Sequence, residues 1–101
     1  MFAKEVKATF HNHQIAVRNS WEPTISFKGL SGLSTNIRLY IDGNVVDTSS
    51  ESFSVSSDVA ILRGSIEVRK KIHVVEVYAR SVLRTKIKIC IDGTKVAGDL
   101  P

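Results

Sequence analysis

Arg84, Lys86 and Lys88 stand at i, i+2 and i+4 of an alternating run. On an extended strand they project from one side about 7 Å apart. Such a row could neutralise a few phosphates, with strong salt dependence. Arg38 joins it if the fold sets its strand beside this one. Lysine on an outer face is also how β proteins keep a sheet soluble, so the bland reading is a solvated face. Base stacking needs aromatics, and only Tyr40 and Tyr78 fall on predicted outer faces. Arg69-Lys70-Lys71 is a charged turn that could touch an anion.

Other candidate chemistry is thin. His11, His13 and His73 are the three histidines. His11-x-His13 puts both rings on one side of an extended segment, but a metal wants further ligands. Asp58 and Glu76 have no supporting spacing, so no metal and no cofactor is expected. Six serines lie between 49 and 57, none in a Gly-x-Ser-x-Gly elbow. Cys90 is predicted to face outward on the lysine-bearing strand, where Lys88 could lower its thiol pKa modestly. No catalytic residue is assigned. Trp21, beside Pro23, either closes one end of the core or anchors a partner.

The elements that carry these residues are strands. Ile37-Arg38-Leu39-Tyr40-Ile41-Asp42-Gly43-Asn44-Val45-Val46 returns as Ile87-Lys88-Ile89-Cys90-Ile91-Asp92-Gly93-Thr94-Lys95-Val96. Asp-Gly between alternating runs is a strong β-hairpin signal, because a type I′ turn requires positive φ at both central residues. Turn geometry therefore accounts for Asp42, Gly43, Asp92 and Gly93 without invoking chemistry. Upstream, His13–Ser20 resembles His73–Ser81, but at an offset of about sixty rather than fifty. A longer connection in the first half, 20–36, accounts for the difference. The pseudo-repeat spans 13–48 and 73–97, as two strand–strand–Asp-Gly–strand units.

Further strands are expected over about 2–10, 14–19, 52–55, 59–68, 72–79 and 83–91, with Gly64 a bulge or a point of close approach. In the 20–36 segment, Ile25 and Phe27 form at most a short strand and Gly29–Gly32 a turn. Eight to nine short strands with no room for a crossover helix give an all-β, antiparallel β-sandwich or small barrel. At 101 residues the chain is one domain, 1–101.

The order of these motifs is itself suggestive. His13, Ile15 and Val17 share a strand, Asn19-Ser20-Trp21 follows, one strand ends in Tyr40-Ile41-Asp42-Gly43 and a later one in Ile91-Asp92-Gly93. This resembles the β-domains of the Fas apoptotic inhibitory molecule family, and small uncharacterised bacterial proteins of similar layout. The resemblance covers Gln14 to Ala97. It implies an antiparallel β-sandwich that works through binding, with no catalytic residues to carry over. A second domain is missing, which leaves any shared partner open.

Composition narrows the function classes. The formal charge is +4, with 43% apolar and 24% charged residues, ordinary for a folded domain. No run approaches the ~18 apolar residues of a membrane span, and Lys4, Glu5 and Lys7 stand where a leader would need its apolar stretch. One cysteine fits a reducing compartment, so the expected location is cytoplasmic. The expected function is a non-enzymatic binding or interaction domain. The alternatives are weak polyanion or nucleic-acid binding through Arg84, Lys86, Lys88 and Arg38, and small-ligand carriage inside the β fold. Trp21, Tyr40 and Tyr78 are the candidate contacts for a protein partner. Val46, Val74, Tyr40 and Tyr78 on outer faces lead to an expected homodimer.

Overall fold

The computed structural model describes the backbone of residues 2–26, 29–49, 59–81 and 85–101, and the side chains of these except 2–3, 21–26, 29–35, 81 and 85. Eight strands run in chain order: β1 (Phe2–Phe10), β2 (His13–Ser26), β3 (Gly29–Ile41), β4 (Asn44–Ser49), β5 (Leu62–Val68), β6 (Lys71–Ser81), β7 (Thr85–Ile91) and β8 (Thr94–Gly98). They form two four-stranded antiparallel meanders, β1-β2-β3-β4 and β5-β6-β7-β8. The sheets pack face to face as a β-sandwich, with β4 against β5 and β1 against β8.

Alternation along each strand builds the core. Ile15, Val17, Ile37, Leu39 and Ile41 of the first sheet meet Leu62, Ile66, Val75, Val77, Ala79, Ile87, Ile89 and Ile91 of the second. Val6, Ala8 and Phe10 of β1 pack against this cluster. β-branched residues dominate because they suit a pleated, buried surface. Gly64 is a point of close approach and not a bulge. It sits in regular register opposite Val75, and a Cβ there would lie 3.1–3.3 Å from side-chain carbons of Val46, Ile41 and Leu39.

Four two-residue turns have positive φ at both positions: His11–Asn12, Asp42–Gly43, Arg69–Lys70 and Asp92–Gly93. This is the type I′ pattern that matches strand twist. Lys71, expected in its turn, instead begins β6, as His13 begins β2. The edge strands also correspond. A register shift falls between Leu39 and Tyr40 against β4, and another between Ile89 and Cys90 against β8. Each unit thus has four strands where three were expected.

The described part of the 20–36 segment, 20–26 and 29–36, is strand, with one register shift between Thr24 and Ile25. β2 and β3 continue as a long two-stranded arm, with Pro23 opposite Leu33, Gly32 opposite Thr24 and Gly29 opposite Ser26. Pro23 lies past the described β1–β2 pairing, which reaches Phe2 opposite Trp21, so its missing N–H removes none of the described β1–β2 ladder bonds. The strand expected over 59–68 starts only at Leu62. The one expected over 52–55, together with Leu83 and Arg84, lies outside the described residues.

Two positions depart from the core's logic. Asn19 is fully buried, and neither its Oδ1 nor its Nδ2 has a hydrogen-bond partner among the described residues. Five residues after Gln14, it occupies the place that Ala79 takes five after Val74. Gly98, with φ of 110°, closes β8 where a Cβ would stand 2.1 Å from the Ile87 carbonyl oxygen.

An unpaired buried amide costs about 1–3 kcal/mol. Asn19→Ala should therefore raise the urea midpoint, whereas a lower midpoint would mean the amide is satisfied in solution. Gly98→Ala should cost roughly 2 kcal/mol or more. Gly43→Ala, at φ of 83° with nothing within 4 Å of the new methyl, should cost only about 1 kcal/mol. The two are compared by chemical denaturation.

Candidate functional site

The Asp-Gly carboxylates close the two sheets in the same way. Asp42 N donates to the Gln14 carbonyl at 2.8 Å. Its Oδ1 accepts from Gln14 N at 2.9 Å, and its Oδ2 meets His13 Nδ1 at 2.7 Å. In the second sheet Asp92 N donates to the Val74 carbonyl at 2.9 Å. Oδ1 accepts from Val74 N at 3.0 Å and Oδ2 meets His73 Nδ1 at 2.6 Å. The turn assignment of Asp42 and Asp92 holds, and each carboxylate additionally ties its hairpin to the neighbouring strand. The recurrence of His13 and His73 in the matched upstream strands was the signal available for that tie.

His13 and His73 are thus structural partners of carboxylates. His73 is also covered from the first sheet by Phe10, edge-on at 4.9 Å, and by His11, stacked at 6.2 Å. Among the described residues no group of three or more histidine, cysteine or acidic side chains could hold a metal.

The carboxylates titrate accordingly. The hydrogen bond to His13, then that from Gln14 N, holds Asp42 below the usual carboxylate range. His73 and Val74 N do the same for Asp92. Burial pushes Asp99 up, but the Lys4 ammonium and Ile87 N outweigh it and the net shift is downward.

The basic row is not assembled. Arg38 lies on β3 and Lys86 and Lys88 on β7, in different sheets, so their outer faces look in opposite directions. Arg84 lies outside the described residues. Lys88 is occupied: its Nζ donates to the Pro101 carbonyl at 3.2 Å and sits 4.9 Å from the centre of the Tyr78 ring. Burial, then the charge of Glu76, raises the Tyr78 hydroxyl pKa. Lys86 stands opposite Arg80 on β6. Arg69 and Lys70 form the exposed β5–β6 turn. Cys90 lies on the outer face, as its alternation predicts, but is covered there to 5% exposure, between Glu76 on β6 and Lys95 on β8. That leaves the thiol little access to a partner. Trp21 pairs with Phe2 and Thr35 through its backbone; its side chain lies outside the described residues.

The outer face of the first sheet is different. Arg18 on β2 lies directly opposite Arg38 on β3, and both are exposed. Neither makes an ion pair among the described residues. Glu5, across β1 from Arg18, is instead 3.0 Å from Lys7. Like charges directly opposite on a sheet are destabilising. Ser20 opposite Asn36 and Ala16 opposite Tyr40 flank the pair along the strands. Arg18, Ser20, Asn36, Arg38 and Tyr40 line a concavity of about 210 Å³. Arg18 and Tyr40 also border a wider groove of about 560 Å³ over Ala16 that reaches Gly43. Sequence reasoning named Arg38 and Tyr40 but missed Arg18, because it sought a row along one strand and not a pair across two.

The two outer faces can be compared position by position from the Asp-Gly turns. Tyr78 and Lys88 occupy in the second sheet the places of Arg18 and Arg38. There the aromatic ring and the chain's last carbonyl engage the cation. In the first sheet neither guanidinium has an ion-pair partner among the described residues. Val45, Val46, Val74 and Val96 are exposed at 42–50%. No helix among the described residues is long and apolar enough to cross a membrane.

The chain matches no family model, no curated protein and no solved structure.

The lowered carboxylates set an acid limit. A group whose pKa is depressed on folding contributes stability above its unfolded pKa and loses it as pH falls through the folded value. The contributions of Asp42 and Asp92 should be complete above about pH 5 and fade below about pH 4. Urea midpoints of the D42N/D92N double variant should be lower at pH 7 and fall less between pH 5 and pH 3. Parallel curves would show that the clasps carry no pH-dependent stability.

Proposed function

We propose that the chain is a non-enzymatic binding domain whose recognition surface is the outer face of the first sheet, and that its ligand there is anionic. The carrying observation is the Arg18–Arg38 pair: two exposed guanidiniums opposite one another with no carboxylate between them. Such an arrangement costs stability in the free protein and is offset when an anion bridges both forks. The resemblance to the Fas apoptotic inhibitory molecule β-domains agrees with this reading, since it too implies work by binding.

The polyanion alternative loses support because its residues are divided between opposite faces and Lys88 is engaged. The interior-carrier alternative loses support because the described grooves lie on an outer face, over a core of packed aliphatic side chains.

The test is an amide NMR titration with pyrophosphate at low salt. Shifts should concentrate at Arg18, Ser20, Asn36 and Arg38, and weaken as salt rises. Arg18→Gln or Arg38→Gln should reduce affinity roughly tenfold or more. Absence of shifts on this face at low salt, or binding by single-stranded DNA that maps to Lys86 and Lys88 instead, would sink the reading.

A further inference from the structure

We infer that the ligand of this face is a small phosphate monoester whose uncharged body carries a flat ring, of the kind a nucleoside monophosphate represents. The inference rests on the anion-binding reading and narrows it.

Charge distribution is the first argument. Positive charge on the face is concentrated at one end, on Arg18 and Arg38. Lys7, opposite Ala16, is balanced at 3.0 Å by Glu5, which itself lies opposite Arg18, so beyond that pair the charge left over is that of the two arginines. A polyanion or an acidic peptide would need cations along its whole track. A ligand with one charged end and a neutral body matches what is there.

The donor set is the second. Two guanidiniums offer paired, planar N–H donors suited to phosphate oxygens, and the two together balance the near-dianionic charge of a monoester at neutral pH. Ser20 and Asn36, directly opposite each other two residues further along the same face, add a hydroxyl and an amide beside them. The concavity these residues line, about 210 Å³, has room for such a group together with bridging waters.

The third is what adjoins it. Ala16 is the small side chain in a row of large ones, and its size leaves the groove of about 560 Å³. That volume falls within the range of small-molecule sites, about 300–1,000 Å³. Tyr40 borders both spaces, so a ring laid over Ala16 can stack on it while the phosphate reaches the arginines. Gln14, Thr9 and Glu5 on the groove's rim offer donors and acceptors to hydroxyls on the body. In the second sheet the place of Ala16 is held by Glu76 and that of Tyr40 by Cys90, so no equivalent groove with an aromatic wall is built there.

The test uses the whole chain and three probes: adenosine 5′-monophosphate, adenosine, and inorganic phosphate, each followed by amide NMR. The monophosphate should bind roughly tenfold tighter than either part and shift Ala16 and Tyr40 as well as Arg18 and Arg38. Ala16→Leu, which fills the groove, should abolish that advantage and leave phosphate binding unchanged. If that variant does not fold, Ala16→Val, a smaller filling of the same groove, gives the same readout. Equal affinity for phosphate and the monophosphate overturns the inference while the anion-binding reading stands. Adenosine binding as tightly as the monophosphate also overturns it. No shift with any of the three overturns both.

Discussion

Two carboxylates set the register of the fold. Asp42 and Asp92 each sit in a two-residue turn, at φ of 51°. Each spends both oxygens on the strand beside its hairpin, one on a backbone N–H and one on a histidine ring. A strand that slips by one residue exchanges its core and solvent faces. The clasps oppose that slip where it matters most, between the two central strands of each sheet. Every inward aliphatic side chain, and every outward arginine, depends on that choice.

The clasps also show why one scaffold carries two unlike faces. Counting from them, β2 and β6 present the same positions inward and outward, and inward they are filled alike by Ile15 and Val75, Val17 and Val77. The exception is Asn19, buried and without a hydrogen-bond partner among the described residues, where the second sheet has Ala79. Outward the substitutions are systematic. Tyr78 replaces Arg18, Lys88 replaces Arg38, and Cys90 replaces Tyr40. One set folds onto itself, with the ring over the ammonium and the last carbonyl accepting from it. The other leaves its charges without an ion-pair partner among the described residues and a small alanine between large neighbours.

Much of this architecture was legible in the residues. The Asp-Gly turns, the alternation of Ile87, Ile89 and Ile91, and the echo of His13 in His73 all carry local signals, and all correspond to what the strands do. The unequal offsets resolve into a length. The clasped histidine precedes its aspartate by 29 residues in the first sheet and by 19 in the second, so the extra ten lie in the longer β2–β3 arm. That arm itself was illegible, because Pro23, Gly29 and Gly32 are turn residues by type. Pro23 is accommodated because it lies past the described β1–β2 pairing, a tertiary fact. The cover over Cys90 was illegible for a similar reason. Alternation puts it outward, but alternation says nothing about whether neighbours cover an outward position. The site was half legible: Arg38 and Tyr40 stand in an obvious strand, but Arg18 becomes their neighbour only once the β2–β3 register is known.

The cost of Arg18 opposite Arg38 bears on how the face should be understood. A salt bridge was within reach, since Glu5 lies across β1 from Arg18, yet Glu5 turns to Lys7. Exposed pairs are worth little, so stability alone decides weakly between these partners. The result pairs Glu5 with Lys7, which lies opposite Ala16, and leaves the net positive charge on the two arginines. The second sheet shows that the same positions accept a tyrosine and a lysine that satisfy each other. Folding therefore does not require the arginine pair. The property that distinguishes it from its self-satisfied counterpart is an unspent, localised positive charge beside an aromatic wall, and that is a property of recognition rather than of packing.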